Sequence, residues 1–179
     1  MTGSTGPTRS SISFAEPDLQ IRPYEASDEA AVAKMWHETK RRAYPYLPTE
    51  QSYTLEESAG FFRDYIAPKC DIWLAESEAR IVGFLAIEGS YLDRLYVHPN
   101  AQRAGIGEAL LAKAKQLSPE RIELHTHQQN VSACAFYEKH GFRAARFGIS
   151  GPPESAPDVE YHWRPTAGDD PNPEPSQPS

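Results

Sequence analysis

The chain has 179 residues, 39% hydrophobic and 11% aromatic, with a formal net charge of −7, which suits one ordinary domain with a real core. No apolar run approaches the ~18 residues of a membrane span, and the start lacks the basic-then-apolar pattern of a secretory signal, so a cytoplasmic protein with no membrane partner is expected. The acidic balance argues against a nucleic-acid partner, since phosphate binding calls for a basic face. Two cysteines without a CxxC, Cys70 and Cys134, read as free thiols rather than a disulfide framework.

Residues 1–18 read as a flexible leader and 165–179, "PTAGDDPNPEPSQPS", as a disordered acidic tail too poor in apolar surface to fold. The tail carries −3 and the leader −1, leaving the body, 19–164, near −3. Within it "LQIRPY" alternates like a strand, and Ser27 reads as the cap of a helix with Asp28 and Glu29 in its first turn. "YPYLPTEQSY" interrupts that helix; Thr54 with Glu57 is a capping box opening the next, which Pro68 ends. "DIWLAES" and "RIVGFLAIEG", joined at Glu78-Ala79, read as a hairpin, and "YLDRLYV" as a further strand. Ile106, Leu110, Leu111 and Ala114 have the spacing of an amphipathic helix. "RIELHTH" is a strand, "SACAFYEKH" a short helix stopped by Gly141. "FRAARFGI" and "VEYHWR" close the chain as strands around the loop "SGPPESAPD". The order β-α-α-β-β-β-α-β-α-β-β argues for an α+β, mixed-sheet domain rather than a doubly wound one.

The turn "QRAGIG", Gln102 to Gly107, stands where a strand hands over to a helix. A helix start leaves about four N–H groups unpaired, at the positive end of the macrodipole. Glycines there clear an anion's approach to the backbone. No lysine follows Gly107, so this is not a triphosphate-binding loop, and Leu110 stands where a dinucleotide fingerprint needs Gly or Ala.

"QRAGIG" after a strand ending "VHP" resembles the acetyl-CoA motif of the GNAT N-acetyltransferases, and "NVSACAFYEKHGF" resembles that family's second signature. The resemblance covers Leu19 to Arg164. It implies the GNAT acyl-CoA N-acyltransferase fold: a mixed, mostly antiparallel sheet of about seven strands with about four helices, two neighbouring strands splayed at the cofactor gap. It further implies acetyl-CoA as acyl donor, transfer by direct attack of a primary amine of a small molecule or peptide in a ternary complex, no metal, and a homodimer as one option. Backbone groups of Leu95, Tyr96 and Val97 would meet the pantetheine arm, and the turn Gln102, Arg103, Ala104, Gly105, Gly107 and Glu108 the pyrophosphate. Arg103 would add charge there. Asn130 matches the asparagine that bonds pantetheine; capping its own loop is the plainer alternative. Tyr137 matches the tyrosine beside the CoA sulfur, a suitable general acid because phenol and thiol have neighbouring pKa values. Phe136, next to it, belongs to the core.

Asp93 is the first candidate for the base, on the strand face of Leu95 and Val97, with Glu88, His125 and His127 as others; Tyr91 stands where some members carry a glutamate. Tyr44, Tyr46 and Leu47 suit an apolar acceptor wall, and Glu50, Glu154 and Asp158 suit a cationic acceptor. The rival to an enzyme is a non-catalytic GNAT-like module that binds or senses CoA.

Overall fold

The computed structural model describes residues 18–166. The expected leader and tail lie outside them, apart from Asp18, Pro165 and Thr166. Seven strands form one sheet: β1 (Leu19–Pro23), β2 (Asp71–Ser77), β3 (Arg80–Glu88), β4 (Tyr91–Val97), β5 (Ile122–His127), β6 (Arg143–Ile149) and β7 (Pro157–Trp163), ordered β1-β2-β3-β4-β5-β7-β6. The helices are α1 (Glu29–Ala43), α2 (Pro48–Ser52), α3 (Leu55–Phe61), α4 (Ile106–Leu117) and α5 (Val131–Lys139). This is the expected α+β mixed sheet, with one helix more than the sequence reading. The addition, α2, lies inside the proline-broken stretch after α1. Pro48 begins it, at the position where a missing N–H costs nothing.

Local chemistry explains most boundaries. The Thr54–Glu57 capping box forms in both directions. Ser27 does not cap α1; Asp28 accepts from the Glu25 N–H at 2.9 Å and pairs with Arg22 at 2.8 Å, which fixes the turn at Ala26–Asp28 that leads into α1. α3 continues into a wider turn in which the Ala67 N–H reaches the Phe62 carbonyl at 2.9 Å. The β2–β3 hairpin turns on Glu78 and Ala79, both left-handed without being glycine. α5 stops at Gly141, φ +88°.

β3 shows why its apolar run is nearly continuous. Phe84 and Ala86 pack with Val32, Met35, Trp36 and Phe62 on one face. Leu85 and Ile87 pack with Ile106, Leu110 and Leu111 on the other. The central sheet is thus covered on both sides, by α1 and the turn after α3 that carries Phe62 on one and by α4 on the other.

The sheet has one parallel seam. β4 and β5 share the single register pair Tyr91–Glu123, beside a hydrogen bond from the Glu123 N–H to the Ser90 carbonyl at 2.9 Å, and then part. A second irregularity sits next to it: Ala86 faces Arg94 while Ile87 faces Leu92, so Asp93 is the extra residue of a β-bulge.

Candidate active site

The parting strands leave Leu95, Tyr96 and Val97 on the open side of the seam, without register partners in β5. The Val97 carbonyl accepts from Gln102 Nε2 at 3.1 Å, which ties the turn to the strand end. Through the turn, Arg103 has φ +66° and Gly105 φ +76°, and a Cβ on Gly105 would meet nothing within 4 Å. Among the described residues, no acceptor takes a backbone N–H from Arg103 to Glu108. That run of unpaired donors at a helix start is a fit for an anion the size of a phosphate. Gly107 serves packing instead: a Cβ there would stand 3.3 Å from the Phe136 ring. Glu108 pairs with Lys139 at 3.4 Å and His140 at 3.5 Å, joining α4 to α5 across the cradle.

Asn130 caps α5, its Oδ1 accepting from the Ala133 N–H at 3.2 Å. The capping alternative is therefore the one seen for Oδ1, and Nδ2 is left to donate elsewhere. Tyr137 is buried among Phe136, Phe142 and Tyr161. Burial pushes its phenol well above the ordinary tyrosine range, with Tyr96 and Cys134 as the next contributors. Burial likewise raises Tyr46 to about 12 and Tyr96 upward.

On the opposite side of the seam from α4 lies a cavity of about 310 Å³, at the small end of ligand sites. Tyr44 forms part of its wall as expected, with its hydroxyl 3.2 Å from that of Tyr96. Tyr46 and Leu47, expected in the same wall, are not among the residues that line the cavity: Tyr46 stands edge-on to His127, ring centroids 6.2 Å apart, and Leu47 is buried. Glu154 and Asp158 line the cavity too, with no ion pair among the described residues. Glu50 does not wait for an amine: its Oε2 lies 3.0 Å from Lys40 Nζ in a buried pair.

The base candidates separate. The bulge turns Asp93 away from the face of Leu95 and Val97, which pack toward α4, and onto the cavity wall. There Asp93 Oδ1 lies 3.2 Å from Arg94 Nη1. Glu88 is exposed and outside the cavity. His125 meets Tyr91 Oη at 3.4 Å and Glu160 at 3.7 Å. His127 is half-buried, its Nδ1 enclosed without a partner. Desolvation lowers its pKa, against weaker opposing pulls from Glu154, Asp158 and Glu50.

Sequence reasoning passed over Trp36, Lys40 and Arg94, all on the cavity wall. The available signals were spacings: Trp36 and Lys40 are one helical turn apart, and Arg94 alternates with Tyr96 on β4.

The model of the acetyltransferase (GNAT) family matches residues 33–142. The chain is 29% identical over 123 residues to the peptidyl-lysine N-acetyltransferase YiaC of Escherichia coli (strain K12), covering 68% of this chain and 82% of that protein. It is 26% identical over 126 residues to the peptidyl-lysine N-acetyltransferase YjaB of the same organism, covering 70% and 82%. Among solved structures, apo YjaB superposes with a TM-score of 0.67 at 22% identity, over 81% of this chain and 97% of that one. The PaiA N-acetyltransferase of Thermoplasma acidophilum, in complex with coenzyme A, gives 0.65 at 21% identity, over 82% and 99%.

Proposed function

Because the chain belongs to the GNAT family of acetyltransferases, we propose that it moves an acetyl group from acetyl-CoA to a primary amine of a small molecule or peptide, by direct attack in a ternary complex. The observation that carries this reading is the seam where β4 and β5 part beside a helix start with unpaired N–H groups. A strand edge and an anion cradle side by side fit an extended arm ending in a pyrophosphate. When bound, acetyl-CoA supplies an activated acyl carbon and a thiol leaving group.

The residues divide the work. The backbone of Leu95, Tyr96 and Val97 holds the arm, and Asn130 Nδ2 donates to it. The turn from Gln102 through Arg103, Ala104, Gly105 and Gly107 to Glu108 holds the pyrophosphate through backbone N–H groups, with Arg103 adding charge. Tyr137 gives its proton to the departing sulfur; burial keeps the phenol protonated and also sets its pKa further above the thiol's than an unperturbed tyrosine's would be. His127 takes the proton from the attacking amine. It is the better base than Asp93, since its Nδ1 is unpartnered and its ring is held neutral, whereas Asp93 is engaged by Arg94.

The test is thiol release from acetyl-CoA across a panel of amines, with acetyl-CoA binding followed separately by calorimetry. Turnover on any primary amine supports the reading. Tight binding with no amine ever acetylated makes the protein a CoA-binding module instead.

A further inference from the structure

The cavity floor carries two cations on one indole. Lys40 Nζ lies 4.1 Å from the Trp36 ring centroid and Arg94 Cζ 5.9 Å from it. Lys40 is neutralised by Glu50 at 3.0 Å. Arg94 is only half engaged: Nη1 donates to the Asp93 carbonyl at 2.7 Å and lies 3.2 Å from Asp93 Oδ1. Among the described residues, its Nε and Nη2 have no hydrogen-bond partner, although the side chain is only 28% exposed and lines the cavity. Nε–H and Nη2–H form one edge of a guanidinium, the fork that matches the two oxygens of a carboxylate. The free carboxylates of the cavity do not take it, for Glu154 and Asp158 make no ion pair with Arg94.

The geometry points to Arg94 as the carboxylate-binding residue of the acceptor site, and so to a free amino acid as the acceptor. This rests on the cavity being the acceptor site of an acetyltransferase. Arg94 and Tyr96 alternate on β4, about 6.6 Å apart along the strand, and Tyr96 borders the parting seam. A carboxylate on Arg94 therefore leaves an amine a few bonds away within reach of the seam. Glu154 and Asp158, which also line the cavity, suit the ammonium form of the acceptor. A cavity of about 310 Å³ also suits a small zwitterion better than a folded protein surface.

The experiment compares acceptors in pairs: the common L-amino acids, β-alanine and γ-aminobutyrate, each against its primary amide, with a lysine peptide blocked at both ends as a further acceptor. Charged hydrogen bonds of this kind are worth about tenfold or more. At least one free acid should exceed its amide about tenfold in kcat/KM. R94Q should bring that ratio to about one and R94K, which keeps the charge but not the fork, should lower it in part, while acetyl-CoA affinity, read by calorimetry, holds. Amides equal to acids, equal losses on both in R94Q, or acetylation of the blocked peptide alone overturns the proposal and leaves the acetyltransferase reading standing. Failure of acetyl-CoA to bind wild type overturns that reading and this proposal with it.

Discussion

The hydroxyls of Tyr44 and Tyr96 lie 3.2 Å apart, tying the loop after α1 to the strand that borders the seam. Burial holds both phenols above the ordinary tyrosine range, so the pair stays neutral and hydrogen-bonded. Removing one hydroxyl leaves the other without its partner, at a cost of about 1 kcal/mol. Y44F should lower Tm by ~2–4 °C and raise the acceptor KM. Because the two hydroxyls serve each other, the Y44F/Y96F double should cost no more than the worse single. Strictly additive losses in thermal melts would show that the two act independently.

Tyr137 is expected to act through its proton alone. General acids contribute typically 10²–10⁴-fold, and a thiol needs less help than most leaving groups. Y137F should therefore lose about 100-fold in kcat with acetyl-CoA affinity unchanged. Since burial raises the phenol, wild-type activity should show no alkaline decline from this group up to the ordinary tyrosine range, near pH 10. Stability carries the same sign: the contribution is fully present below pH ~10 and is lost as the unfolded phenols ionise above it. Full activity of Y137F across the pH range would falsify the acid role.

His127 gives the opposite limb. Its folded pKa is lowered by desolvation, so the ring stays neutral in the fold where an unfolded histidine, near 6.5, would take a proton. Stability is thus unaffected above pH ~6.5 and falls as the pH drops below it. In the proposed mechanism the neutral ring is the active form, so kcat should rise with pH through an apparent pKa below ~6.5. H127N should remove that limb and lower kcat ~10²-fold. The measurement is a pH–rate profile for both proteins. An unchanged limb in H127N assigns it to another group.

The order of elements and the glycine turn at the start of α4 were legible because both are local. Ile106, Leu110, Leu111 and Ala114 repeat at helical spacing, and all four are buried. The glycines of "QRAGIG" and the absence of a lysine at the next position are readable in seven letters. What stayed hidden depends on pairing between distant segments. The bulge at Asp93 is a register slip between β3 and β4, which no single strand encodes, and it reverses which face that carboxylate joins. Glu50 looked free because its partner Lys40 lies on another helix. Arg94 stands out only once the fold brings Trp36, Lys40 and Asp93 around the same cavity.

Gly83 is another position whose meaning appears only in the assembled sheet. A Cβ there would stand 2.8 Å from the Tyr96 carbonyl oxygen and 3.2 Å from Leu110. The nearer contact is backbone, so β4 itself would have to shift. Overpacking of this kind costs about 1–3 kcal/mol. G83A should lower Tm by several degrees and raise the acetyl-CoA KM, because the displaced strand edge is the one proposed to hold the arm. G151A is the control: a Cβ at Gly151 meets nothing within 4 Å, at an ordinary φ. A G83A protein indistinguishable from G151A in melting and KM would show that β4 yields freely.

The buried Lys40–Glu50 pair sets a test that separates stability from function. The two side chains are 8% and 10% exposed, with Lys40 also over the Trp36 face. Removing one member strands the other charge in a low-dielectric wall, a loss of about 3–5 kcal/mol. Removing both with similar volumes is far milder, because the desolvation cost of the pair disappears with the pair. K40M should therefore lower Tm by roughly 6–20 °C, and K40M/E50Q should recover most of that loss. Acceptor affinity should follow a different order. Arg94 keeps its unpartnered edge in both variants, so the preference for acids over amides should survive in the double mutant even as stability changes. A double mutant no more stable than K40M would mean that Lys40 acts through its packing on Trp36 rather than through Glu50.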